Sequence, residues 1–401
     1  MGYSDHIKNK INFFLQKYGY EIIRKEKNDD LLKNIFKTNH NKRVLISYLT
    51  HPFTQSSNYS HTNYFECKYA GEIFSEIGYN VDVINYDSDI ELDYTQYDVI
   101  YGQGKPFDKA PMMNRLHKNF KILYGTGTCN YYFTKVATNC FNDFYKKTKQ
   151  EAFNSVRLNM LSNIFGAIRT NAIIALGNDY CLKTYTDFNK VAMSYNLDAF
   201  YFNKYDINIS QKIIKTARNN FLWFGSGGLL YKGLGLTIEY FLDNPQYTLH
   251  ICGANNSEIE FWNYYREKIN SSSNIINHGF VNLESSDFKK IMDVCGVAIF
   301  PSVSEGGSPS LLNVMANGGL IPIALPACTI DIENYGFYMN DFSKVSIQAC
   351  VKELETISDG DFMEKMHFIK EDVRSKYTVE KYRSNLKEII QKIIQKHHTN
   401  E

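Results

Sequence analysis

From Arg43 onward, short apolar runs alternate with stretches in which apolar residues recur at helical spacing. The run Val44-Leu45-Ile46-Ser47-Tyr48-Leu49 predicts a first buried strand. A polar loop to Thr62 follows, then a helix over 63–77 that Gly78 ends. Further strands are predicted over 81–84, 98–102, 121–125 and 172–177, with one long helix over 135–165 before the last of them. A second block with the same rhythm starts near Asn220. Its strands are predicted over 221–225, 248–253, 275–280 and 297–300, its helices over 233–242, 262–269, 288–294 and from Pro309. Short apolar strands separated by helices argue for parallel sheets covered on both faces. The expected fold class is therefore α/β: two doubly wound, Rossmann-like domains, whose ligands sit at the carboxyl ends of the strands.

The ends of the chain read differently. Residues 1–40 form a polar, mildly basic lead in which Ile7, Ile11, Phe14 and Leu15 fall on one helical face among Lys8, Lys10 and Lys17. Such a helix fits peripheral docking on the inner membrane surface or packing on the domain body, and packing is the preferred reading. Over 379–396, Tyr382, Leu386, Ile389, Ile390 and Ile393 mark a closing amphipathic helix. The expected division is a helical lead (1–40), a first domain (41–202), a second domain (203–378) and a terminal helix (379–401), with the hinge over 202–218.

Composition narrows the classes. With 401 residues, 44% hydrophobic and 22% charged, the chain has ample material for two cores. A formal net charge of +1 argues against a dedicated nucleic-acid binder. The eight cysteines are scattered with no Cys-x-x-Cys pair, which favours a reducing compartment over a disulfide framework or zinc site. Neither a signal-peptide layout nor a membrane-length apolar run is present, so a cytoplasmic location is expected. The 30 tyrosines suit stacking on sugars and bases, but a codon bias explains them better.

Two strand–loop–helix junctions carry the candidate chemistry. In the first, the strand 297–300 runs into Glu305, Gly306, Gly307 and Ser308, and a helix opens at Pro309 and Ser310. Free backbone N–H groups and a helix N-terminus at such a junction suit a phosphate, and Glu305 can accept hydrogen bonds from sugar hydroxyls. An ordinary loop capped by Ser308 explains this segment about as well. In the second, Gly225, Ser226, Gly227 and Gly228 precede Lys232-Gly233 at a helix entrance. Small residues let the backbone approach a phosphate and the lysine adds a cation, although no Ser or Thr follows it as in a P-loop. Between the two lie Cys252-Gly253, at a strand end, and His278-Gly279-Phe280-Val281.

Taken in order across 221–319, these four elements resemble the donor domain of glycosyltransferase family 4, retaining enzymes of the GT-B fold. The resemblance implies that Lys232 neutralises the donor diphosphate, that Glu305 positions the transferred sugar and that Asn313 meets the ribose. It also places Gly253, Gly279 and Phe280 near the nucleotide, and the amides of 225–228 with the helix after Ser308 around the leaving phosphate. A terminal helix crossing back to the first domain is implied as well. Two departures stand out: family members carry a second Glu where this chain has Asn313, and an Arg five residues before the lysine, where it has Gly227.

The first domain matches more loosely. Its loop Tyr124-Gly125-Thr126-Gly127-Thr128-Cys129 resembles one that carries an acceptor-side histidine in relatives, which aligns Cys129 with that residue. His51 and His61 are further acceptor-side candidates, with Thr126. Asp87-Ser88-Asp89 spells the metal signature of GT-A enzymes, but it lies in a polar run and is set aside as a metal site. The expectation is thus a retaining, metal-independent transferase, without a resident cofactor. It would take a nucleotide-diphosphate sugar and a glycan or lipid-linked acceptor, in bacterial surface polysaccharide synthesis. The competing class is a non-catalytic relative that binds a nucleotide sugar or glycan beside an active partner. A sugar-nucleotide epimerase is a third, for which no acid–base pair is evident.

Overall fold

The computed structural model describes residues 31–54, 61–114, 116–157, 164–201 and 205–399, so the expected helix around Ile7, Ile11, Phe14 and Leu15 lies outside it. Seven strands form the first sheet: β1 (Leu31–Leu32), β2 (Lys42–Tyr48), β3 (Tyr79–Asn85), β4 (Val99–Gly102), β5 (Phe120–Gly125), β6 (Ala172–Leu176) and β7 (Met193–Leu197). Their spatial order is β1-β3-β2-β4-β5-β6-β7, parallel except for β1. The second sheet holds β8 (Asn220–Phe224), β9 (Thr248–Cys252), β10 (Ile275–Gly279), β11 (Val297–Phe300), β12 (Ile321–Ala324) and β13 (Phe337–Tyr338). Its order is β10-β9-β8-β11-β12-β13, all parallel. The central strands are buried on both faces, as helix-covered parallel sheets require, with Val44, Ile46, Val81, Val83, Ile299 and Ile323 fully enclosed.

Some elements differ from the sequence expectation. The long helix expected over 135–165 is instead Asn130–Thr148, a 3-10 turn at Phe153–Ser155 and a short helix Ile164–Ile168. Thr148 Oγ1 donates back to Phe144 O and accepts from Gln150 N, and Lys149 leaves the helix in the left-handed region (φ 61°). Local side-chain bonds of this kind compete with the helical ladder. Strand β7 and the helix Asp179–Thr186 escaped the sequence reading. The polar, partly exposed Ser194 and Asn196 suit an edge strand but erase its apolar signature.

Helices help to join the halves. The terminal helix Val379–Thr399 returns to the first sheet, burying Tyr382, Leu386, Ile390 and Ile393. Tyr382 and Tyr124 share a hydroxyl hydrogen bond of 2.9 Å, Lys387 reaches Glu76 at 2.7 Å, and Arg383 pairs with the same carboxylate. The helix Asn130–Thr148 belongs to the first half by sequence but meets the second through Phe133 against Tyr231 and Phe144 against Tyr264.

A histidine pair at the edge of the second sheet ties stability to pH. Asn220 donates its amide to Thr216 O, which turns Oδ1 toward His250 Nε2 at 2.9 Å. His250 Nδ1 then accepts from His278 Nε2 at 3.0 Å. Burial first, and His278 second, lower the His250 pKa to about 4. A depressed folded-state pKa contributes stability above the unfolded value near 6.5 that is lost as pH falls toward 4. We expect a loss on the order of 2 kcal/mol between pH 7.5 and pH 5 from this residue. Urea midpoints at the two pH values should separate less in His250→Gln than in the natural chain. Equal separation would contradict the assignment.

Candidate active site

Both sheets reverse their strand order beside their first long strand. β2 lies between β3 and β4, and β8 between β9 and β11. Crevices of doubly wound sheets open at the carboxyl ends of such strands. Here the two face a shared cavity of about 980 Å³.

On the second-sheet side, β8 leads into the Gly-rich turn and β11 into the glutamate loop. Because β8 and β11 are neighbours, the two loops meet. Lys232 Nζ lies 3.0 Å from Glu305 Oε1, with the side chains only 8% and 11% exposed. Ser302 Oγ donates to the same carboxylate oxygen at 2.8 Å. Burial draws the Lys232 pKa down, but Glu305 and Tyr231 draw it up further, and it stands above the ordinary lysine range. The result is a fixed cation and a fixed carboxylate side by side at the cavity wall.

The remaining donor-side expectations divide into two groups. Gly225, Ser226 and Gly253 line the cavity, as do Gly306, Pro309 and Ser310. So do Asn313, whose Nδ2 donates to Pro309 O at 2.7 Å, and Phe280, whose ring is 84% exposed. Gly227, Gly307 and Ser308 are buried behind the cavity wall, and the partly exposed Gly279 lies outside the lining. Ser308 does not cap its helix through the side chain; it sits at φ 38° and donates Oγ to Cys328 O, while Gly307 N donates to Thr329 Oγ1.

One expectation needs correction. The amides of the Gly-rich turn do not all face a phosphate. Gly225 N donates to Cys252 O, and Gly228 N and Leu229 N both donate to the buried Glu258 carboxylate, at 2.5 and 2.9 Å. These three N–H groups bond inward and hold the turn from behind. Lys232 and the helix beginning at Pro309 add to the field available to an anion.

From the first sheet, the loop after β5 closes on the glutamate loop. Thr128 Oγ1 and Ser304 Oγ share a hydrogen bond of 2.6 Å, and Thr126 lines the cavity. A Cβ on Gly306 would stand 2.0 Å from Thr126 O. His61 lines the cavity too; its Nδ1 accepts from Asn63 N, and desolvation lowers its pKa. His51 packs on Tyr64 and Cys129 is 1% exposed, and neither lines the cavity. The Cys129 thiol turns into a core with Leu123, Ala175 and Cys181, where burial raises its pKa. Asp89 pairs with Lys105 at 2.8 Å in the loop after β3.

Sequence reasoning missed two charged groups at the cavity. Glu66 lies on the inner face of the helix Thr62–Glu76, accepts from Tyr48 OH at 2.8 Å and has its pKa raised by burial. Arg157 follows the 3-10 turn within the stretch read as continuous helix. No local pattern marks either one.

No protein-family model matches this chain, and comparison with curated protein sequences finds no match. Solved structures do match. Sucrose-phosphate synthase from Thermosynechococcus elongatus aligns over 88% of this chain and 99% of its own, with 12% identity and a TM-score of 0.59. HepE from Anabaena, solved with UDP and glucose, aligns over 87% and 99%, with 11% identity and a TM-score of 0.55. A glycosyltransferase from Rickettsia africae aligns over 88% and 99%, with 11% identity and a TM-score of 0.52. At these identities the likeness concerns the fold: the chain has the GT-B architecture.

Proposed function

We propose that this GT-B protein is a glycosyltransferase that moves a sugar from a nucleoside-diphosphate donor to a hydroxyl of a glycan or lipid-linked acceptor. The observation that carries the reading is the Lys232–Glu305 pair, held at 3.0 Å on adjacent loops at the crevice beside β8. HepE, which shares the fold, is seen with UDP and glucose, a ligand pair of the class proposed here.

The chemistry follows from the charges. Breaking the glycosidic bond leaves negative charge on the β-phosphate, which Lys232 and the helix from Pro309 would stabilise without reorganising. Glu305 would hold hydroxyls of the transferred sugar, and the Asn313 amide oxygen would face the ribose. The acceptor would enter from the first-sheet side, past His61 and Thr126. Contact between the 126–128 and 304–306 loops would shut out water and limit donor hydrolysis. As the resemblance to family 4 implies, the acceptor would attack from the face that the diphosphate leaves, a leaving phosphate oxygen would take its proton, and the configuration would be retained without a metal. Assembly of a bacterial surface polysaccharide, by a cytoplasmic protein touching the inner membrane face, is the setting proposed.

A non-catalytic nucleotide-sugar binder is the competing reading, and Asn313 in place of a carboxylate favours it. Calorimetric titration with UDP, GDP, ADP, dTDP and the matching monophosphates tests the shared premise. One diphosphate should bind at least tenfold more tightly than its monophosphate. Equal affinity for each pair would remove the diphosphate from the site.

A further inference from the structure

The family resemblance leaves a cation missing at Gly227, and the structure shows what stands there instead. A Cβ built on Gly227 would lie 2.9 Å from an Arg157 guanidinium nitrogen and 2.9 Å from Glu258 Oε1. The space that a side chain at 227 would claim is therefore shared by an arginine from the other half of the chain, by Glu258 and by Asn255 Nδ2 at 3.2 Å. Arg157 lines the same cavity as Ser226, Lys232 and Glu305. It is exposed there and hydrogen-bonds Tyr231, and its field acts on Lys232.

The segment before it is fastened to the Gly-rich turn. Leu230 N donates to Ser155 O at 3.1 Å, and Ser155 and Val156 are fully buried. Arg157 itself takes a left-handed backbone (φ 47°), which a non-glycine residue holds only where its surroundings impose it. Charge balance gives the arrangement a purpose. Lys232 is already matched by Glu305, so that pair alone offers a diphosphate little net positive charge. Glu258 lies near Arg157 too, but it is engaged by the Gly228 and Leu229 N–H groups and burial raises its pKa, which weakens its opposing charge. A guanidinium presents a planar fork of donors that suits phosphate oxygens in pairs.

We propose that Arg157 binds the donor diphosphate as the second cation of the site, entering through the gap that Gly227 leaves open. This rests on the donor-site reading above. It implies that the segment 155–157, contributed between β5 and β6, is a working part of the nucleotide site. Donor binding thereby depends on the docking of the two halves.

The test uses the full chain and the nucleoside diphosphate that binds it most tightly among UDP, GDP, ADP and dTDP, beside its monophosphate. Arg157→Ala should weaken the diphosphate about 10- to 100-fold and the monophosphate by less than threefold. Arg157→Lys should recover part of the loss. An Arg157→Ala protein that melts like the natural chain and keeps its diphosphate affinity overturns the proposal and leaves the donor site standing. Equal losses for diphosphate and monophosphate also overturn it, because they mark a general structural role. A natural chain that binds no nucleoside diphosphate overturns both readings.

Discussion

Lys232→Ala is expected to lower turnover of the sugar nucleotide by about 10²- to 10³-fold, the usual cost of removing one preorganised group from a developing oxyanion. The loss should fall mainly on kcat, because charge on the β-phosphate grows as the glycosidic bond breaks. A second consequence follows from burial. Without its ammonium partner at 3.0 Å, the Glu305 carboxylate remains in a poorly solvated wall with Ser302 as its neighbour. Removing one member of a buried pair costs stability because the other charge is stranded. Lys232→Ala should therefore melt below the natural chain, and Lys232→Met/Glu305→Gln should regain much of that stability while staying inactive. Steady-state nucleotide release and thermal unfolding measure the two effects. Full activity in Lys232→Ala would contradict the assigned role.

Gly306→Ala is expected to lower kcat by about 10²-fold while changing nucleotide affinity by only a few-fold. The new Cβ would stand 2.0 Å from Thr126 O and 3.0 Å from Gly127 N, and both are backbone atoms that no rotamer change can move aside. The loops must part, which breaks the Thr128–Ser304 hydrogen bond and opens the cavity where the two halves meet. Lys232, on a different loop, keeps its place, so the nucleotide should still bind. Kinetics with a fixed donor and varied acceptor, beside calorimetry with the nucleotide, separate these effects. An unchanged kcat would show that this loop contact is not part of the working state.

Much of the fold is legible along the chain because each central strand is a short apolar run with a turn residue behind it. β11 and the helix Pro309–Gly318 lie where their residues predict. The failures have physical causes. β7 is an edge strand whose polar residues need no burial, and the break after Thr148 depends on side-chain bonds too local to disturb the apolar spacing. Lys232 and Glu305 each announce themselves in a strand–loop–helix junction. Their contact does not, because it depends on β8 and β11 pairing across two intervening strands. The same limit hides the requirement for glycine at 306, whose reason is a carbonyl in the other half. Nothing in its local sequence marks Glu66, yet it is buried against Tyr48. Cys129 shows the reverse: sequence alignment points it at the acceptor, and its thiol packs into the core.

Metal-independent cleavage of a sugar nucleotide through Lys232 and Glu305 is the property on which the proposed activity turns. Purified protein should be incubated with EDTA and, in turn, with UDP-, GDP-, ADP-, dTDP- and CMP-sugars, without acceptor, beside Lys232→Ala and Glu305→Ala. Slow nucleotide release from one donor, lost in both variants, is the expected result. No release from any donor, or release that both variants retain, would contradict it.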